Sequence, residues 1–147
     1  MAKVTEVWPN LWIGGSTWPL SRDQLAIDLL VTVCEEWECW FTPEADEFVN
    51  FPMIEGTLFG TDLAELDRIV GVVVQAIRDD RTTMVRCRAG HERSAMVVTL
   101  ALMELTNRSA EEVVADLRDR HVPDVLAVPD SEFLAHVLTH GKQRSEP

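Results

Sequence analysis

The chain has 147 residues, of which 46% are hydrophobic and 26% charged, a composition that suits one globular domain with a full hydrophobic core. Its net charge of -12 excludes a general attraction for nucleic acid or anionic lipid, so an anionic substrate must be drawn in by a local basic site. No apolar run approaches the ~18 residues that cross a membrane, and three cysteines without framework spacing fit a reducing cytosol.

The opening MAKVTEVWPN has neither an apolar core nor a small-residue cleavage site, so no export signal is expected and the expected location is cytoplasmic. No repeat or linker divides the chain. A single domain is expected over 1–141, with 142–147 as a tail. KVTEVWPNLWIGG reads as two short strands around Pro9 and Asn10, ended by Gly14 and Gly15. LSRDQLAI predicts a short helix. LLVTVC (29–34) is a continuous apolar run and predicts a buried strand, followed by the irregular loop EEWECWFTPEADE. EFVNFPMI (47–54) predicts a second strand closed by Pro52, and EGTLFGT a loop.

A helix is expected over about 62–78, where Leu63, Leu66, Ile69, Val70, Val73 and Ile77 recur at helical spacing behind an Asp62–Glu65 cap. TTMVRC (82–87) predicts a strand. SAMVVTLALMELT (94–106) is apolar on almost every face and predicts a central buried helix. Ser109 and Glu112 form a capping box for a helix to about 120, and Pro129–Asp130 opens a last helix. His121, His136 and His140 read as surface or packed residues beside these helices. Strand-loop-helix units of this kind predict an α/β sandwich with a small, mostly parallel sheet flanked by helices.

The stretch MVRCRAGHERSAM (84–96) carries the chemistry. A strand ends at Cys87, a loop follows, and a buried helix begins, which is where open α/β sheets collect ligands. The amides of the loop and of the first helical turn can converge on an anion, and Gly90 permits the backbone such a nest needs. Arg93 can fork two N–H groups onto an oxyanion. The helix dipole, Arg93 and Arg86 all favour a thiolate at Cys87, an activated nucleophile against a bound phosphate. Ser94 can hydrogen-bond the sulfur as it leaves. The bland alternative is a buried structural cysteine, common for a free thiol on its own.

CRAGHERS resembles the Cys-x5-Arg-Ser loop of cysteine-dependent protein tyrosine phosphatases. VTEVWPNLWIGG is similar to the opening of the dual-specificity branch, and SAEEVVADLRDRHVPDVLAVPDSEFLAHVL to the helices that follow the loop in small bacterial members, so the resemblance covers nearly the whole chain. It implies the phosphatase α/β sandwich and two-step hydrolysis of a phosphomonoester. In it Cys87 is the nucleophile, the loop residues Arg88, Ala89, Gly90, His91 and Glu92 bind phosphate with Arg93, and Ser94 stabilises the departing thiolate. Neither metal nor cofactor is implied.

The family also uses a carboxylic acid on an upstream loop, usually Asp. FPMIEGTLFGTD places Glu55 in that position, with Asp62 as the rival, although Asp62 also suits a helix cap. Arg86 stands where the family usually has His and cannot reproduce an imidazole's acceptor role. Arg88 and His91 sit at offsets where phosphoinositide phosphatases carry basic residues; the alternative is two solvated charges at the rim. Trp37, Trp40 and Phe41 either wall a pocket for an aromatic ester or cover a core edge. Cys34 and Cys39 are weak evidence for metal, and one of them could pair with Cys87 under oxidation.

The expected function is that of a cytosolic phosphatase acting on phosphotyrosine, with phosphoserine or phosphothreonine as a further substrate class. A phosphoinositide or small-phosphoester phosphatase is one alternative, an impaired phosphate-binding module another. A rhodanese-like sulfur transferase is a third, although its loop is one residue shorter. The partner is a phosphorylated protein or small phosphoester, with no nucleic acid and no membrane. The sequence leaves the oligomeric state open.

Overall fold

A computed structural model describes residues 4–16, 20–39 and 41–145. Five strands form one sheet in the order β1-β2-β5-β3-β4. β1 (Thr5–Trp8) and β2 (Leu11–Gly15) are antiparallel, joined by a turn in which Asn10 takes a left-handed conformation (φ 69). Asn tolerates that region better than most residues. The other pairings are all parallel: β2 with β5 (Thr83–Cys87), β5 with β3 (Ile27–Thr32), and β3 with β4 (Ala45–Asn50). This is the small, mostly parallel sheet expected from the sequence.

Alternation along the strands sorts two faces. Ile13, Leu29, Val31, Val85 and Cys87 join the main core with all four helices. Ile27, Leu30 and Met84 point the other way, into a small cluster completed by Val4, Trp12, Leu20, Leu25 and Ala45. α1 (Leu63–Arg78) starts at Asp62, whose carboxylate accepts from the amides of Ala64 and Glu65. Glu65, the expected second half of that cap, instead pairs with Arg68. α2 (Arg93–Thr106) is buried from Arg93 through Met103, as its all-round apolar sequence requires. α3 (Ala110–Arg120) opens on the Ser109–Glu112 capping box, and α4 (Glu132–Ser145) continues into the stretch 142–147 set aside as a tail.

Two expectations fail. LSRDQLAI is a turn, not a helix: Ser21 accepts from the amides of Gln24 and Leu25, and the Gln24 side chain folds back onto the Ser21 amide. An eight-residue segment with little face to bury cannot repay helix nucleation. The loop after β3 is not wholly irregular, for Glu36–Glu38 forms a single 3-10 turn closed by a Glu35–Glu38 capping box. Among the described residues no helix is long and apolar enough to cross a membrane.

Candidate active site

β5 ends at Cys87 and α2 begins at Arg93, so the loop between them lies at the carboxyl edge of the parallel strands. A cavity of about 300 Å³ opens there, lined by Cys87, Arg88, Ala89, His91, Glu92 and Arg93. Glu55, Asp124, Ala127 and Val128 complete the lining. Cys87 is buried. Its Sγ lies 3.1 Å from the Ser94 hydroxyl and accepts a hydrogen bond from the Gly90 amide at 3.3 Å.

The loop is held through its carbonyls by residues from other parts of the chain. The Ser16 amide donates to the carbonyls of Cys87 (2.7 Å) and Arg88 (3.1 Å), and the Leu126 amide to that of His91 (2.9 Å). The Gly90 carbonyl meets Nε2 of His121 at 3.1 Å. Gly90 has φ +79, and a Cβ there would stand 2.9 Å from the Gly14 carbonyl carbon and oxygen. Only glycine satisfies both the backbone conformation and the close approach of β2.

Arg93 is placed by Glu38, a residue that no local pattern singles out. Its Nη1 donates to Glu38 Oε2 (2.7 Å) and to the Met53 carbonyl (2.8 Å), and its Nη2 to Glu38 Oε1 (2.6 Å). The two side chains are 3% and 0% exposed. Burial alone would lower the Arg93 pKa, but the Glu38 carboxylate outweighs it and holds the guanidinium above its ordinary value. The hydrogen bonds from Arg93 hold the Glu38 carboxyl below its own ordinary value, against the opposing effect of burial. The Nε–H and the second Nη2–H are left, and they share one edge of the guanidinium, the fork that matches two oxygens of an oxyanion.

The remaining expected residues divide. Glu55 is exposed and lines the cavity, whereas Asp62 caps α1 and is absent from the lining. Arg88 lines the cavity and lays its guanidinium 5.7 Å from the centre of the Trp37 ring. Trp37 is 65% exposed, so it does not cover a core edge, and it is absent from the cavity wall. Phe41 is exposed, and Trp40 lies outside the described residues. Glu92 accepts from the Ser131 hydroxyl at 2.7 Å, which ties the loop to the start of α4.

Arg86 does not face Cys87. Successive strand residues point to opposite faces, and the Arg86 guanidinium runs to the Thr32 hydroxyl (2.9 Å) and the Phe41 carbonyl. It lines a second cavity of about 350 Å³ together with Cys34 and Cys39. The expected pairing of Cys34 or Cys39 with Cys87 is not the contact observed: Cys34 and Cys39 lie 3.5 Å apart, sulfur to sulfur. Burial, then the hydrogen bond with Cys39, pushes the Cys34 thiol up to about 12.

The sequence does not single out Ser16, Glu38 or Asp124, and it marks His121 only as a surface or packed residue. Each acts on the site from a distant part of the chain, and no local pattern marks it.

No protein-family model matches the sequence, and no curated protein does. Solved structures do match. Human DUSP28 superposes with a TM-score of 0.80 over 97% of this chain and 95% of its own, at 21% identity. The chain has the dual-specificity phosphatase fold. Tk-PTP in its active form superposes with a TM-score of 0.76 over 96% and 97% of the two chains, at 18% identity. The human tyrosine phosphatase-like serine/threonine/tyrosine-interacting protein does so with a TM-score of 0.77 over 98% of each, at 14% identity. In this phosphatase fold the Cys87–Arg93 loop occupies the junction of the last strand and the central helix.

Proposed function

We propose that the protein is a cysteine-dependent phosphomonoester hydrolase that works through a phosphocysteine on Cys87. The observation that carries the reading is the shared cavity: a buried sulfur at its floor, the loop around it, and the free edge of a pinned guanidinium. The thiolate attacks phosphorus, the S–P bond forms and the P–O bond to the leaving group breaks. Arg93 and the loop amides hold the equatorial oxygens, where charge must be stabilised. Glu55, as the acid, gives its proton to the leaving oxygen. Water then attacks phosphorus, Glu55 takes its proton, and the S–P bond breaks with the Ser94 hydroxyl hydrogen-bonding the sulfur.

Glu55, Glu92 and Asp124 put three carboxylates around one cavity, and Arg88 lies against Trp37. This balance favours a substrate carrying a single phosphate over a multiply phosphorylated one such as a phosphoinositide, because each added anionic group meets like charge. A phosphorylated protein, with the phosphate on tyrosine, serine or threonine, is the substrate class that fits. The second reading, a phosphate-binding module without turnover, draws on one observation: the acid Glu55 is exposed and its side chain has no partner among the described residues.

Hydrolysis of p-nitrophenyl phosphate decides between them. Wild type turns over, Cys87→Ser falls by ~10³-fold or more, and Glu55→Gln falls by ~10²-fold with loss of one limb of the pH profile. Vanadate binding without turnover in wild type would make the protein a binding module.

A further inference from the structure

His121 lies just past the end of α3, is buried, and meets the phosphate loop at the Gly90 carbonyl. A carbonyl oxygen can only accept, so the 3.1 Å contact with Gly90 requires a proton on Nε2. In the neutral ring Nδ1 is then the acceptor, and Thr5 Oγ1 stands 2.7 Å from it as donor. The Gly90 carbonyl thus selects the tautomer, and the Thr5 hydroxyl, which can donate or accept, complements it and holds the ring in place.

The consequence lies on the far side of the peptide. Among the described residues all peptide bonds are trans, so the N–H of each plane points opposite to its C=O. The Gly90 carbonyl, held at His121, therefore turns the His91 amide away from that ring. Leu126 does the same for the Glu92 amide through the His91 carbonyl, and Ser16 for the Ala89 amide through the Arg88 carbonyl. Of these anchors only His121 is a side chain, and so only it can be altered without touching a backbone. A flip of this plane turns ψ of Gly90 and φ of His91, and glycine, having no Cβ, opposes its share of that rotation less than any other residue would. Without an anchor the 90–91 plane is the one free to flip and present a carbonyl to the anion.

We propose that His121 is a positioning residue of the anion site: through Gly90 it holds the His91 amide in the orientation that binds a phosphoryl oxygen. This rests on the phosphatase reading above, and its tests separate the two. Gln can place an amide N–H where Nε2 stands, whereas Asn reaches only as far as Nδ1. His121→Gln should therefore keep vanadate affinity within about threefold, while His121→Asn should weaken it about tenfold and lower kcat more than it raises KM. Equal vanadate affinity in wild type and the Asn variant, or a Gln variant no better than Asn, overturns the assignment. A merely structural histidine would give variants ordered by thermal stability and not by reach to Gly90.

The wild-type protein supplies a test that needs no variant. Imidazole nitrogen NMR should show the Nε2–H tautomer at His121, and an Nδ1–H tautomer sinks the proposal even if both variants misfold. Wild type that binds no vanadate, with the Nε2–H tautomer present, instead counts against the phosphatase reading.

Discussion

Glu38 and Arg93 are an ion pair taken wholly out of water, and the guanidinium fork depends on the carboxylate that holds its other edge. Breaking a buried pair from one side leaves an uncompensated charge, so Glu38→Gln should cost roughly 3–5 kcal/mol of stability in urea unfolding. It should also blunt anion affinity, because an Arg93 released from Glu38 must be ordered by the ligand. The pair predicts an acid limb as well. With the native Glu38 pKa held below its ordinary value, the unfolded chain binds more protons in the interval between the two. The stabilisation is complete above the ordinary carboxylate range, about 4.3, and is lost as pH falls through the native value. Urea midpoints of wild type should therefore drop through that window, and those of Glu38→Gln should drop less. The residues of the loop itself were legible from their spacing, because Cys87, Gly90, Arg93 and Ser94 lie within one turn of chain. Glu38 was not, since an acid in a run of acids carries no local sign that it will be buried against a residue 55 positions on.

The segment from β3 to the 3-10 turn carries both Cys34 and Glu38, and Cys39 follows at once, so chemistry at the thiols bears on the arginine pair. Cys34 is held protonated by burial and Cys39 is half-buried, which leaves Cys39 as the sulfur open to attack. Peroxide should oxidise it to a sulfenic acid that condenses with the Cys34 thiol, giving a disulfide and water. Intact-mass and thiol counting on Cys87→Ser should find both thiols lost together. Cys39→Ser should keep Cys34 reduced. A Cys34 that oxidises equally in both variants contradicts this order of events. The elements themselves were well forecast wherever periodicity was long: α1, α2 and α3 begin within a residue or two of their predicted starts. LSRDQLAI misled because a few apolar residues mimic a helix face, while Ser21 and Gln24 bond to each other locally and close a turn. Arg86 misled for a geometric reason: adjacency in a strand means opposite faces, so the residue next to Cys87 is the one that cannot turn towards it.

At the scale of the whole molecule, a net charge of -12 surrounds a site built for an anion. The field repels what the loop binds, so attraction is confined to within a Debye length, about 8 Å at physiological salt. The loop in turn is braced from widely separated points: Ser16 after β2, His121 after α3, and Leu126 in the connection to α4. None of these braces exists until the early strands and the late helices have come together. An oxyanion in the cradle is therefore a ligand of the completed fold and of no part of it. By mass action, phosphate or vanadate at ~100 times its Kd should add about 2.7 kcal/mol, or roughly 5–11 °C in Tm for a chain of this size. A fragment ending before α3 should show none of this gain. Free phosphate, the product of the proposed reaction, would thus double as a folding ligand: as it rises, the population of unfolded chain falls, and inhibition and protection against proteolysis become two readings of one binding constant.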